Sequence, residues 1–232
     1  MAPETVRWVR RTFAPARLFV MYGQTEATAR LSYLPPEHAG AKEGSIGVPI
    51  PGVELRVVDD SGTEIIDGEV GNLVARGDNV AAGYLDEPDE TQQVFRDGWL
   101  WTGDLARRDA DGFFYHAGRS REIMKINGNR VSPAEIESVL ACHPGVIESA
   151  VVAQSPEPGV GMASAFVVRS PGSDVSEAAL RRFCSERLPY FKVPASITFV
   201  ETLPRSESGK LLRRQLESGA AIERVRVEAL AR

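Results

Sequence analysis

The sequence predicts an α/β segment followed by an α+β region: the end of an α/β subdomain, a small distorted β-barrel subdomain, and a C-terminal α+β domain. Three observations predict it. An amphipathic helical stripe and a short apolar run open the chain. Period-two alternation with turn residues dominates residues 44–118, and helix start signals alternate with strands beyond that point. The boundaries that follow are 1–43, 44–118, a junction at 119–121, 122–217, and a tail at 218–232.

Residues 3–13 set Val6, Val9 and Phe13 on one helical face, with Pro3 in the tolerated first turn, and residues 17–21 read as a buried strand. One helix and one strand cannot bury their apolar faces alone. The chain is therefore expected to open in the middle of an α/β unit, with a preceding part missing and an exposed apolar face prone to association.

In the barrel region Val53, Leu55 and Val57 alternate with Glu54, Arg56 and Val58, and Asp59-Asp60-Ser61-Gly62 supplies a turn. Further strands are expected at 71–75 and 113–116. After residue 118, Ser132, Pro133 and Glu135 form a capping-box signature ahead of Ile136, Val139 and Leu140. Strands at 146–153 and 163–168 precede a helix near 176–188 that carries Leu180, Phe183 and Cys184 inward, and Pro189 ends it. A strand at 197–200 and a glycine-containing loop at 205–210 complete the domain. The charged, Ala-rich tail reads as a peripheral helix or a frayed end.

Composition excludes several classes. With 232 residues, 43% apolar, 25% charged and a net charge of −5, the chain is an ordinary globular protein with no basic bias toward nucleic acid. Cys142 and Cys184 stand far apart and read as two reduced core thiols, and His38, His116 and His143 form no ligand cluster. The N-terminus lacks the apolar core of a signal peptide and no apolar run approaches the roughly 20 residues of a membrane span, so a cytoplasmic location is expected.

Four short segments carry candidate chemistry, each with a bland alternative. Tyr22-Gly23-Gln24-Thr25-Glu26 follows a strand, where open α/β sheets present side chains to ligands. It offers a flat ring for a purine, a hydroxyl for a phosphate oxygen and a carboxylate for Mg²⁺; a solvated strand-end turn is the plain alternative. Asp104, in Trp101-Thr102-Gly103-Asp104, suits the vicinal hydroxyls of a ribose or is a simple turn residue. Arg119 forks onto ribose or phosphate oxygens or makes a surface ion pair. Ser206-Glu207-Ser208-Gly209-Lys210 is no P-loop, lacking a Gly five residues before the Gly-Lys pair. If that loop enters a site, Lys210 neutralises charge on a phosphoryl group at the transition state.

In order, the chain contains YGQTE (22–26), GEVGNLVARGDNVAAGY (68–84), TGD (102–104), GRSREIMKINGNRVSPAEIE (118–137), LPYFKVP (188–194) and PRSESGKLLRR (204–214). In these motifs and their spacing the sequence resembles the adenylate-forming superfamily of acyl-CoA synthetases, carrier-protein adenylation domains and beetle luciferases. The resemblance implies a two-step reaction. A carboxylic acid and Mg·ATP give acyl-AMP and pyrophosphate, and a thiol of CoA or of a phosphopantetheine arm then displaces AMP. It also implies site residues: Tyr22 and Gly23 in the nucleotide motif, Thr25 on the α-phosphate, Glu26 on Mg²⁺, Asp104 and Arg119 on the ribose, and Lys210 bridging carboxylate and phosphate. Arg121 stands at the hinge of a mobile C-terminal domain, where the family more often has Asp or Lys. Gly128 lines the pantetheine tunnel, and Lys125 matches a lysine used in the second half-reaction by some members. One site that serves phosphate and later thiol explains why that domain must move.

The family's phosphate-binding loop, acyl pocket and most of its purine pocket precede the matching region. The chain is thus expected to be the C-terminal part of an acyl-CoA ligase, inactive alone unless a missing N-terminal half completes it. The alternatives are a free-standing enzyme that loads an acyl carrier protein, and a non-catalytic module that binds a nucleotide or a partner.

Overall fold

In the computed structural model, which describes residues 3–157, 160–207 and 209–217, α1 (Pro3–Thr12) buries Val6 and leaves Val9 half-covered. Phe13 does not join that face as expected: it is 57% exposed and rests on the edge of Trp8, ring centroids 6.2 Å apart. The small cluster that receives α1 buries Val6, Val20, Leu34, Ala39 and Phe113, with Leu18, Val48 and Tyr115 packed partly buried against it, and Phe13 is not among them. The next strand is also shorter and later than the expected 17–21. β1 (Val20–Tyr22) buries Val20 in that cluster, while Met21, on its other face, is 52% exposed. β1 pairs antiparallel with β2 (Ser32–Leu34), which pairs antiparallel with β3 (Val48–Pro49).

β4 (Val53–Val58), β5 (Gly71–Gly77), β6 (Phe95–Arg96), β7 (Trp99–Arg108) and β8 (Phe114–Arg119) form an antiparallel sheet curled into half a barrel. Its order is β4-β5-β7-β6, with β8 also on β7, and α2 (Pro88–Val94) leads into β6. The alternation in β4 does what its period requires: Leu55 and Val57 turn inward onto Leu73, Ala75, Leu100 and Ala106. On the outer face Trp99 lies between the guanidinium groups of Arg56 and Arg76, at 4.7 and 4.6 Å.

The chain divides into two units, Met1–Arg121 and Glu122–Arg232. The second begins with a hairpin of β9 (Met124–Ile126) and β10 (Asn129–Val131), closed by Asn127 and Gly128, both at positive φ as a two-residue turn demands. There follow α3 (Pro133–Ala141), β11 (Val146–Glu157), β12 (Val160–Arg169), α4 (Glu177–Ser185), β13 (Ser196–Phe199) and α5 (Arg213–Glu217). β12 is central, antiparallel to β11 and parallel to β13. Val151 and Val167 pack on one face with Ile136, Leu140, Leu180 and Cys184 from α3 and α4. Ala150, Val152 and Phe166 pack on the other with Leu216 from α5.

Several sequence expectations need correction here. α3 starts at the predicted place, but the capping box does not form. Ser132 Oγ is buried without a hydrogen-bond partner, and Glu135 instead accepts both its bonds from Lys192 Nζ at 2.7 Å. A full ammonium outcompetes a backbone N–H for a carboxylate. α4 ends at Ser185, and Phe183 is only half-buried, edge-on to His143 at 5.0 Å. Cys184 is buried, which pushes its thiol up to about 11, whereas Cys142 is exposed and donates to Ser138 O at 3.3 Å. Residues 218–232, with the expected tail, lie outside the described residues.

Candidate functional site

The sharpest feature of the first unit is a buried carboxylate placed by two irregularities in one sheet. Between the pairs Asn72↔Leu105 and Val74↔Trp101, β7 uses more residues than β5, so Thr102, Gly103 and Asp104 bulge. Gly103 sits at φ +73°, which favours glycine, and a bulge of this kind re-aims the next side chain. Thr102 Oγ1 repairs the interrupted ladder, donating to Leu73 O at 2.7 Å and accepting from Asp104 N at 3.1 Å. A second shift, on β8, opposes Asp104 to Arg119 and brings His116 alongside.

Asp104 is 3% exposed. Its Oδ2 accepts from the Tyr22 hydroxyl at 2.6 Å. Arg119 Nε and His116 Nε2 lie 3.1 and 3.4 Å from Oδ1, yet neither is aligned as a hydrogen bond, and Oδ1 is buried without a bonded partner. Burial pushes the Asp104 carboxyl up, but the close approach of His116, the Tyr22 hydroxyl bond and the nearby guanidinium outweigh it and hold the group below the ordinary carboxylate range. The Tyr22 phenol is raised, by burial first and then by the Asp104 charge. The result is an ionised acceptor whose Oδ1 is wholly unbonded, leaving lone pairs that suit a donor pair such as a vicinal diol.

Upstream, Tyr22 opens a loop that folds back on itself. A Cβ on Gly23 would lie 2.6 Å from Arg30 Cα, so only glycine fits this approach, and Leu31 N donates to Tyr22 O at 2.7 Å. Thr25, Glu26 and Ala27 form a single 3₁₀ turn. Thr25 is exposed and its hydroxyl makes no hydrogen bond among the described residues. Glu26 Oε1 accepts from the Tyr84 hydroxyl at 2.6 Å, and burial followed by that bond pushes the Tyr84 phenol up to about 12. The other oxygen of Glu26 takes no bond among the described residues. Among them no group of three or more His, Cys, Asp or Glu could hold a metal. One half-free carboxylate nevertheless fits Mg²⁺, which commonly takes one or two protein carboxylates and fills its shell with phosphate and water.

In the second unit Lys125 and Gly128 occupy the β9–β10 hairpin, Lys125 exposed and opposite Arg130. Lys210 sits on a separate tight turn. Its N–H donates to Ser206 Oγ at 3.1 Å, its carbonyl accepts from Ser206 N at 2.8 Å, and Arg205 Nη1 donates to Gly209 O at 2.7 Å while pairing with Glu148 on β11. The Lys210 ammonium is exposed with no ion pair among the described residues; Ser208 of the same loop lies outside them. Arg121, exposed, is the last residue of the first unit.

Sequence reasoning missed His116, Tyr84 and Asn79. Asn79 Nδ2 donates to Ala27 O at 3.0 Å and Arg30 O at 3.1 Å. Tyr84 and Asn79 lie in the glycine-rich 68–84 motif to which no role was given, and an interior strand glycine, Gly103, was the available signal for the bulge.

The model of the AMP-binding enzyme family matches residues 1–85, and that of the AMP-binding enzyme C-terminal domain matches residues 135–210, together more than half of the chain. The chain belongs to the AMP-binding enzyme family. Within that family it is 42% identical over 200 residues to the 2-succinylbenzoate–CoA ligase of Geobacillus kaustophilus, covering 86% of this chain and 41% of that protein. It is 39% identical over 214 residues to the long-chain-fatty-acid–CoA ligase of Salmonella typhimurium, covering 92% and 37%. A solved AMP-binding structure, the o-succinylbenzoate CoA synthetase of Bacillus subtilis with the acyl-adenylate OSB-AMP, superposes with a TM-score of 0.85 at 33% identity, covering 93% and 44%. The same enzyme with ATP and magnesium ion gives 0.84 at 33% identity, covering 93% and 44%. The chain thus spans about two fifths of the length of the curated relatives it matches. Among the described residues no helix is long and apolar enough to cross a membrane.

Proposed function

We propose that this chain is the C-terminal part of an AMP-forming acid–thiol ligase, which activates a carboxylic acid as acyl-AMP and passes the acyl group to CoA. The observation that carries the reading is Asp104: an ionised, buried carboxylate, oriented by Tyr22, with Oδ1 unbonded between Arg119 and His116. Such a group recognises the two hydroxyls of a ribose better than a monofunctional donor. The CoA ligases among its relatives, the acyl-adenylate in one similar structure and the ATP and magnesium ion in another support the same assignment.

In this reading Asp104 and Arg119 hold the ribose, Tyr22 and Gly23 shape the nucleotide end of β1, and Thr25 donates to the α-phosphate. Glu26 would hold Mg²⁺, which when bound offsets phosphate charge. Lys210, whose backbone is held on its turn, supplies a cation where negative charge develops between carboxylate and α-phosphate. Lys125 and Gly128 serve the thiol step. The change of unit after Arg121 supports residues 119–121 as the hinge, with 122–217 as the moving domain.

Calorimetry of AMP binding and ATP–pyrophosphate exchange test this on the complete enzyme. Asp104→Ala should weaken AMP by about tenfold or more, as expected when a charged hydrogen-bond acceptor is deleted. Lys210→Ala should keep AMP affinity and lose exchange. AMP binding indifferent to Asp104 would falsify the reading. Offering CoA and a phosphopantetheine-loaded acyl carrier protein as competing acceptors decides the thiol.

A further inference from the structure

We propose that residues 77–84 form a brace that positions the Thr25–Glu26 turn, with Asn79 holding its backbone and Tyr84 holding one carboxylate oxygen of Glu26 so that the other faces a divalent cation. The Tyr84 half rests on the reading of Glu26 given above. The Asn79 half does not.

The turn needs holding. Thr28, a β-branched residue, sits at φ 62° and ψ −150°, a region that essentially only glycine occupies freely. Strain of this kind persists only where surrounding contacts over-determine the backbone. Asn79 supplies them on both sides of Thr28: its one amide nitrogen donates to Ala27 O and to Arg30 O, closing the loop across the strained residue. Two residues on, Ala81 N donates to Glu26 O at 2.8 Å. The brace therefore contacts three successive points of the turn: residues 26, 27 and 30.

Tyr84 is in turn located by α2. A Cβ on Gly83 would stand 2.5 Å from Thr91 Cγ2, so the chain passes against Thr91 only because residue 83 is glycine. Tyr84 N donates to Thr91 Oγ1 at 2.8 Å, and its ring lies edge-on to Phe95 at 5.7 Å. From that fixed base the hydroxyl reaches Glu26 Oε1 at 2.6 Å. One carboxylate oxygen is thus occupied by a neutral donor and the other left unbonded, the arrangement in which a supporting residue orients a metal ligand without competing for the metal. Tyr84 and Asn79 are positioning residues in this scheme; neither is proposed to touch a substrate.

Hydrogen exchange on the full chain tests the Asn79 half without catalysis. Asn79→Ala should speed exchange at Ala27, Leu31 and Ala81 by about tenfold or more, because these amides open with the turn. Tyr84→Phe, which keeps the ring and loses one hydroxyl, should leave them protected. Unchanged exchange in Asn79→Ala overturns the brace. In the complete enzyme Tyr84→Phe should raise the Mg²⁺ concentration for half-maximal ATP–pyrophosphate exchange by about tenfold while leaving the KM for the acid in place, the split expected of a residue acting through a metal ligand. A Mg²⁺ requirement identical to the parent's overturns the Tyr84 half. A parent enzyme that performs no Mg²⁺-dependent exchange overturns the proposed function and the Tyr84 half with it, and the amide exchange still decides the backbone brace.

Discussion

The Lys210 turn runs directly into α5, and α5 is fastened by Arg213. The Arg213 guanidinium donates through both terminal nitrogens to Glu137 of α3, one of these bonds at 3.1 Å, and also donates to Val151 O of β11 at 3.0 Å. Glu137 Oε1 accepts in addition from Val151 N at 2.7 Å, so one ion pair ties a helix, a strand and the last helix together. Glu122 stands 3.4 Å away. Burial works against the guanidinium charge, but Glu137 overrides it and the Arg213 pKa is raised.

Arg213→Ala strands Glu137 with one backbone donor. Breaking a fully buried pair costs about 3–5 kcal/mol; here the side chains remain 20% and 17% exposed, so water relieves part of that and about 2–3 kcal/mol is expected. Replacing both partners, as Arg213→Met with Glu137→Leu, should cost much less than the sum of the single changes, leaving a coupling energy of about 2 kcal/mol. The assay can be resolved by unit, because Trp8, Trp99 and Trp101 all fall in Met1–Arg121. In urea titrations the tryptophan signal should not move, while amide exchange at Val151 should report the loss. Strictly additive single and double variants, or a single variant that costs under about 0.5 kcal/mol, would refute the argument that this pair is a buried, shared anchor.

Other expectations follow from individual groups. Folding raises the Tyr22 pKa, so the unfolded chain ionises first: its contribution is whole below about pH 10 and declines above it by up to about 1.4 kcal/mol per pH unit. Tyr84 and Tyr115 shift the same way, so Tyr22→Phe should make the alkaline decline of urea stability shallower without abolishing it, and an unaltered slope between about pH 10 and 11 would contradict the burial of that phenol. Ser132→Ala, at an N-cap where alanine usually costs about 1 kcal/mol, should be neutral or stabilising, because Oγ is buried and unpaired. A thermal melt showing the ordinary N-cap loss would restore the capping box.

What was legible in the sequence was whatever is local. The period of β4, the start of α3 and the Asp59–Gly62 turn each follow from a few adjacent residues, and the mixed α/β and α+β class follows from their succession. The contacts that make the site are not local. Tyr22 meets Asp104 across 82 residues and Tyr84 meets Glu26 across 58, distances over which neither periodicity nor turn chemistry carries information. Ser132 shows the converse: a correct local signature lost its partner because Lys192, 57 residues from Glu135, competes better. Phe13 and Met21 lie on faces that pattern alone assigns to a core, and their exposure depends on what surrounds them rather than on their own spacing.

The two charged groups at the centre of the proposal are prepared in opposite ways, and that difference predicts how each should fail. Asp104 has already been desolvated by folding, and the bulge, Tyr22 and the flanking Arg119 guanidinium offset a burial that costs several kcal/mol. A ribose that completes the unbonded Oδ1 gains a charge-assisted bond of about 1.5–3 kcal/mol in the bound ground state, and the gain persists unchanged into the transition state. Lys210 is different: its backbone is fixed by Ser206 and Arg205, but its ammonium remains exposed. Its interaction with phosphate becomes strong only where water is excluded and charge is developing. Loss of Asp104 should therefore appear mainly in affinity and loss of Lys210 mainly in rate; a Lys210 variant whose defect lay wholly in AMP binding would show that the cation acts in the ground state after all.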